Sequence, residues 1–166
     1  MARIYISLGS NIEPEQHIRA GLDALQQAFG TLTLSPVFEA EPVGFVSDNF
    51  INLVVATDTA LDLAAVVAKL KGIEFALGRQ DSIKKLAPRI LDLDLLLYDQ
   101  LCTLEPVVLP RPEITRHAFV LWPLAELAPE LELPGTTDTL GDLWARFDAP
   151  QQLWKRPFDW APKTES

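Results

Sequence analysis

The sequence predicts an α+β fold of ferredoxin-like layout, a mostly antiparallel sheet with helices packed on it in α/β/α layers. Two observations carry this expectation. Apolar residues repeat by turns at strand and at helix spacing, in the order β-α-β-β-α-β as far as Tyr98, with irregular and helical segments after it. The chain has 166 residues, 48% hydrophobic and 22% charged, which suits one domain with its own core.

Ile4, Ile6 and Leu8 alternate with Tyr5 and Ser7 as a strand does, and Gly9-Ser10-Asn11 is expected to turn the chain. Pro14 suits the first turn of a helix, where no amide hydrogen is needed. Ile18, Leu22, Leu25 and Phe29 then fall on one helical face, and Gly30 is a natural stop. Leu32 to Phe38 predicts a second strand, Glu39 to Asn49 a loop, and Phe50 to Thr57 a third strand. Leu61 to Leu77 predicts a helix with Leu63, Val66, Val67, Leu70, Ile73 and Leu77 on one side and Gly78 closing it. Arg79 to Pro88 reads as a polar loop. Leu91 to Tyr98 reads as a central strand, apolar on both faces apart from two aspartates. Phe119 to Leu127 predicts a helix despite Pro123, and Leu140 to Phe147 a short one. From Pro157 the chain reads as a loose tail, so that residues 1–156 form the domain and 157–166 the tail.

The formal net charge of −9 argues against a broad electrostatic hold on nucleic acid. An anionic small molecule would need metal ions and a few placed Arg or Lys side chains. Cys102 is the only cysteine, which forbids an internal disulfide and suits a reducing compartment. No stretch reaches the about 18 apolar residues of a membrane span, and Met1 to Leu8 reads as a strand and not as a leader. A cytoplasmic monomer with no membrane or nucleic-acid partner is expected.

The strongest local signal is Ala87-Pro88-Arg89-Ile90-Leu91-Asp92-Leu93-Asp94-Leu95-Leu96-Leu97. Residues two apart in a strand face the same way, so Asp92 and Asp94 share one face and Leu91, Leu93, Leu95 and Leu97 the other. Two carboxylates side by side on an apolar strand repel and lose hydration unless something cationic pairs with them. They suit Mg²⁺, which takes one or two carboxylates together with waters and substrate phosphates. Adjacent Arg89 is a phosphate-type donor. The plainer alternative is a strand end whose aspartates reach water or pair with a structural arginine.

This stretch resembles the signature of the 6-hydroxymethyl-7,8-dihydropterin pyrophosphokinases, in which a small residue, Pro and Arg precede Asp-hydrophobic-Asp and a hydrophobic run. Further motifs keep the family's order: Leu8-Gly9-Ser10-Asn11, Glu41-Pro42-Val43-Gly44, Phe50-Ile51-Asn52, Ile73-Glu74, Gly78-Arg79 and Phe119-Val120-Leu121-Trp122-Pro123-Leu124. The resemblance runs from Tyr5 to about Phe147. It implies transfer of diphosphate from ATP to a reduced pterin's hydroxymethyl group, with AMP leaving, in folate biosynthesis. Asp92 and Asp94 would hold two Mg²⁺ ions, and Arg79 and Arg89 would steady the transferring group. Phe50 and Phe119 would stack on the pterin, Asn52 would pair with its edge, and Pro42, Val43 and Gly44 would line its pocket. Glu74, Arg111, Arg116 and His117 would lie at the nucleotide. Core packing is the plainer role for both phenylalanines.

The chain departs from the family pattern in places. Tyr often stands where this chain has Phe50, and some members have Trp where it has Leu86. The family usually has His after the proline at Pro110 and Arg two residues before Phe119, whereas here these are Arg111 and His117, with Arg116 alongside. The loops at 41–49 and 79–88 are expected to act as lids. A paralogue that binds pterin or nucleotide as a regulator, and a nucleotide hydrolase, are the competing readings.

Overall fold

The computed structural model describes residues 1–41, 49–78, 91–148 and 152–162. Helices pack on an antiparallel sheet. In chain order the elements are β1 (Ala2–Ser10), α1 (Pro14–Phe29), β2 (Thr33–Leu34), β3 (Val37–Ala40), β4 (Phe50–Thr59), α2 (Leu63–Gly78) and β5 (Asp92–Tyr98). A 3-10 turn (Pro112–Thr115), α3 (Ala118–Leu127), α4 (Leu140–Arg146) and β6 (Leu153–Arg156) follow. The sheet runs β5-β1-β4-β3-β6, with β2 also paired to β4, and every pairing is antiparallel.

The strands' two-residue alternation divides the sheet into two faces. Ile4, Ile6, Leu8, Ile51, Leu53, Val55, Leu93 and Leu95 pack with Ile18, Leu22 and Leu25 of α1 and Val66 and Leu70 of α2. Tyr5, Val54, Ala56, Leu96 and Leu97 pack with Val120, Leu121 and Leu124 of α3 and Leu140 of α4. Both strands of the central pair are therefore apolar on both sides, as a strand covered by helices on each face must be. The apolar side assigned to α2 is the one that packs, with Leu63, Val67, Ile73 and Leu77 partly buried around Val66 and Leu70. Gly30 ends α1 at φ 94°, a conformation that favours glycine. No helix among the described residues is long and apolar enough to cross a membrane.

Several expectations change. Gly9 and Ser10 do not turn the chain but complete β1. The strand expected over Leu32 to Phe38 is two short ones, because Pro36 has no amide hydrogen to give a ladder. At the break Ser35 pairs twice with Val54, donating its backbone N–H to the carbonyl and accepting from the amide at its hydroxyl. β3 then runs on to Ala40, inside the span read as loop. Leu97 does not share a face with Leu95. Tyr5 pairs with Leu97 and the next residue, Ile6, with Leu95, so Leu96 is an extra residue without a partner in the ladder. This β-bulge resets the alternation. His17 is half-buried, and its Nδ1 lies 2.5 Å from the Ile12 carbonyl.

The residues from Pro157 as far as Pro162 do not form a loose tail. Phe158 and Trp160 pack against the core beside α1. The Trp160 indole N–H donates to Asp23 at 3.0 Å, and Arg19 lies over the Phe158 ring while donating to the Asp159 carbonyl. Aromatic residues with polar handles can hold a segment that has no secondary structure. Trp160→Ala is expected to lower the unfolding free energy in urea by about 2 kcal/mol, roughly half the cost of truncating a fully buried tryptophan. An unchanged urea midpoint would return these residues to the status of a tail.

Candidate active site

β1 lies between β4 and β5, and its register sets out a cavity on the face that also carries α3. Gly9 stands opposite Asn52 on one side and Asp92 on the other, while Ser7 stands opposite Val54 and Asp94. The resulting cavity, about 340 Å³, has Ser7, Gly9, Phe50, Asn52, Asp92, Asp94 and Leu96 from the sheet. Its opposite wall is Arg111, Glu113, His117, Phe119 and Val120, with Ala40 and Glu41 at the end of β3.

Gly9 is required by its neighbour. A Cβ at this position would meet Asn52 Oδ1 at 2.7 Å. Asn52 is 5% exposed, and its side-chain NH₂ has no hydrogen-bond partner among the described residues. A buried amide left in this way costs free energy unless a ligand completes it. Asn52 is thus a donor held ready at the cavity floor.

At the other end the charges are crowded. Among the described residues Glu41, Asp92, Asp94 and Glu113 line the cavity, against one guanidinium, Arg111. Arg111 reaches Asp94 Oδ1 at 3.3 Å through a terminal nitrogen. Its Nε lies 2.5 Å from Glu113 Oε2, close enough for an ion pair but not aligned as an N–H donor. The Arg111 backbone N–H donates to the carbonyl of Leu96 at 3.1 Å. The aspartate pair fits the donor set of a hard divalent cation that keeps waters and takes further oxygens from a phosphate. Among the described residues no group of three or more His, Cys, Asp or Glu forms a protein-only metal cage.

Phe119 enters the cavity from α3 with the His117 ring stacked on it, centroids 5.0 Å apart and planes 18° apart. The structure thus brings together Phe50, Asn52, Asp92, Asp94, Arg111, His117 and Phe119. It does not bring in two others. Arg116 is exposed and does not line the cavity. Glu74, expected beside the nucleotide, does not line the cavity, and its carboxylate accepts the Leu93 N–H at the sheet edge at 2.8 Å. β5 ends the sheet, so an outward amide there needs such an acceptor. Pro42, Val43, Gly44, Arg79 and Arg89 lie outside the described residues, as does nearly all of both expected lids. Glu113 was not anticipated. Its only sequence signal was a carboxylate two residues from Arg111.

A sequence model of the family described as 7,8-dihydro-6-hydroxymethylpterin-pyrophosphokinase, HPPK, matches residues 5–129. The chain belongs to this family. An HPPK of Pseudomonas aeruginosa, named 2-amino-4-hydroxy-6-hydroxymethyldihydropteridine pyrophosphokinase, is 40% identical over 137 residues, 80% of this chain and 84% of that protein. One of the same name from Methylorubrum extorquens is 36% identical over 153 residues, 89% and 95% of the two chains. Among solved structures, Plasmodium falciparum HPPK-DHPS superposes with a TM-score of 0.73 over 88% of this chain at 13% identity. This chain spans 44% of that longer one, and the likeness concerns the fold.

The unpartnered amide gives a test on the free protein. Asn52→Leu, similar in size and without the orphan donor, is expected to raise stability by about 1 kcal/mol in chemical denaturation, because an unsatisfied buried group is removed. A loss of stability would mean that the amide has a structural partner.

Proposed function

We propose that this HPPK transfers diphosphate from Mg-ATP to the hydroxymethyl group of 6-hydroxymethyl-7,8-dihydropterin, giving AMP and the pterin diphosphate, in folate biosynthesis. One observation carries the assignment beyond family membership. One cavity has a ready amide and Phe50 at its β4 end, paired aspartates at its β5 end, and Phe119 in its wall. A flat heterocycle and a metal-bound polyphosphate need those two ends within one reach.

The residues act as follows in this reading. Phe50 and Phe119 hold the pterin ring by its faces, and Asn52 pairs with its edge. Asp92 and Asp94 would hold Mg²⁺, which would supply neutralisation of the phosphate charge. Arg111, and from outside the described residues Arg79 and Arg89, take the remaining phosphate charge. His117 and Arg116 stand at the outer side of the phosphate end, and Pro42, Val43 and Gly44 close the pterin side. The pterin hydroxyl then lies in line with the β-phosphorus of ATP. Catalysis rests on this positioning and on charge neutralisation, with no covalent intermediate on the enzyme.

The finer fold reading is ferredoxin-like, supported by the antiparallel order β5-β1-β4-β3 around the β-α-β-β-α-β core. We take residues 1–156 as the catalytic domain and 157–166 as its C-terminal extension. We take it as a cytoplasmic monomer acting on small molecules without a membrane partner, and the net charge of −9 argues against a broad hold on nucleic acid.

Incubation with Mg-ATP and the dihydropterin is expected to release AMP only when the pterin is present. Pterin binding without AMP would favour a regulator, and ADP a hydrolase. In the same assay Asp92→Asn and Asp94→Asn are each expected to lose about a hundredfold or more in turnover, the scale of removing one electrostatic stabiliser. Near-normal AMP release in both would defeat the metal assignment. Gly9→Ala should displace the Asn52 amide and weaken pterin affinity about tenfold, the worth of one good hydrogen bond. Calorimetry on pterin alone checks this, and unchanged affinity would remove Asn52 from recognition.

A further inference from the structure

Arg111 is the one guanidinium among the described lining residues, and it sits between two carboxylates. One is Asp94 at 3.3 Å; the other is Glu113 at 2.5 Å. The three side chains are each about a third exposed, 28% for Arg111, 39% for Asp94 and 34% for Glu113. They can therefore rearrange without disturbing the core. Their backbones cannot move so freely. Arg111 donates its amide hydrogen to Leu96 of β5, and the Glu113 carbonyl accepts from both Arg116 and His117. Ile114, next to Glu113, is fully buried. The guanidinium is thus tethered within reach of both acids, on a stem whose base is fixed.

A guanidinium at Asp94 and a divalent ion at Asp94 compete, because both draw on the same carboxylate charge and the two cations repel each other. An arginine leaving Asp94 must be received elsewhere, or it stays and competes. We propose that Glu113 is the positioning residue that receives Arg111. When a divalent cation takes Asp94, the guanidinium turns wholly to Glu113 and remains at the rim, where it meets the incoming polyphosphate. Arg111 holds the place of the metal in the empty site, and Glu113 sets how readily it gives that place up. This inference rests on the reading of Asp94 as a cation ligand.

The test uses Mn²⁺ alone, with no nucleotide, read as loss of the free hydrated ion's paramagnetic resonance signal. The proteins are the parent chain, Glu113→Gln, Arg111→Ala, the double variant and Asp94→Asn. Glu113→Gln should weaken Mn²⁺ binding about threefold, the scale of a partly exposed ion pair, and Arg111→Ala should strengthen it by a similar factor. The deciding comparison is the double variant. If Glu113 acts through Arg111, Glu113→Gln changes nothing once Arg111 is gone. If it weakens Mn²⁺ binding equally in both backgrounds, Glu113 is only another negative charge and the proposal is overturned. No effect of Glu113→Gln in the parent overturns it as well, while loss of binding in Asp94→Asn leaves the metal reading standing. If Asp94→Asn binds Mn²⁺ as the parent does, the metal reading fails and the exchange fails with it.

Discussion

Backbone hydrogen bonding of β1 to two neighbours at once fixes where every group on the cavity floor stands. The two ladders are rigid, so Gly9 brings Asn52 and Asp92 to its two sides, and Ser7 brings Asp94 next to it. A slip of one residue in either ladder would turn those side chains to the face packed on α1 and α2. That face is lined by Ile4, Ile6, Leu8, Leu53, Leu93 and Leu95, which would have to take the polar side. The apolar core thus guards the register, and the register places the polar groups. Gly9 is where the two demands meet, since the floor can be flat only if its central residue has no side chain.

Among the described residues the cavity has an unpartnered donor at its β4 end and gathered carboxylates at its β5 end. Neither favours the empty protein. A buried amide without a partner costs about 1–3 kcal/mol, and carboxylates gathered in a half-enclosed space raise each other's energy. Both conditions are relieved by the ligands the family name points to, a heterocycle with polar edges and a phosphate carried by cations. The surrounding packing makes this tolerable: Leu8, Ile51, Leu53, Val54 and Leu96, next to the polar groups, are buried almost completely.

Much of this was legible in the sequence, for physical reasons. Strand alternation in β1 and β4 and the helical spacing of α1 and α2 are direct records of burial, so these elements were found within a few residues. Asp92 and Asp94 stood out because charge in an apolar strand needs a reason. What was missed depends on long-range contacts. Whether Glu74 turns to the cavity or to the edge of β5 is decided by how α2 packs. The four residues of β6 carry no period of their own and become a strand by pairing with β3. Trp160 and Phe158 looked like tail because their partners, Asp23 and Arg19, lie on α1. The arrangement around Arg111 needed the 3-10 turn, which no apolar pattern announces.

Leu96 is a supernumerary residue in the arithmetic of β5. Asp92, Leu93, Asp94 and Leu95 keep their phase below it, and Leu97 and Tyr98 keep theirs above it, against partners that skip it. Loss of its single codon would therefore leave the aspartates and the leucines pointing as they do now. What would vanish is the carbonyl that anchors Arg111, together with one buried leucine side chain at the cavity. Insertions elsewhere in a strand invert everything beyond them, whereas here the polypeptide carries a removable joint. Lineages of this fold could gain or shed the arginine's anchorage in one genetic step, with the facing of the two aspartates unaltered.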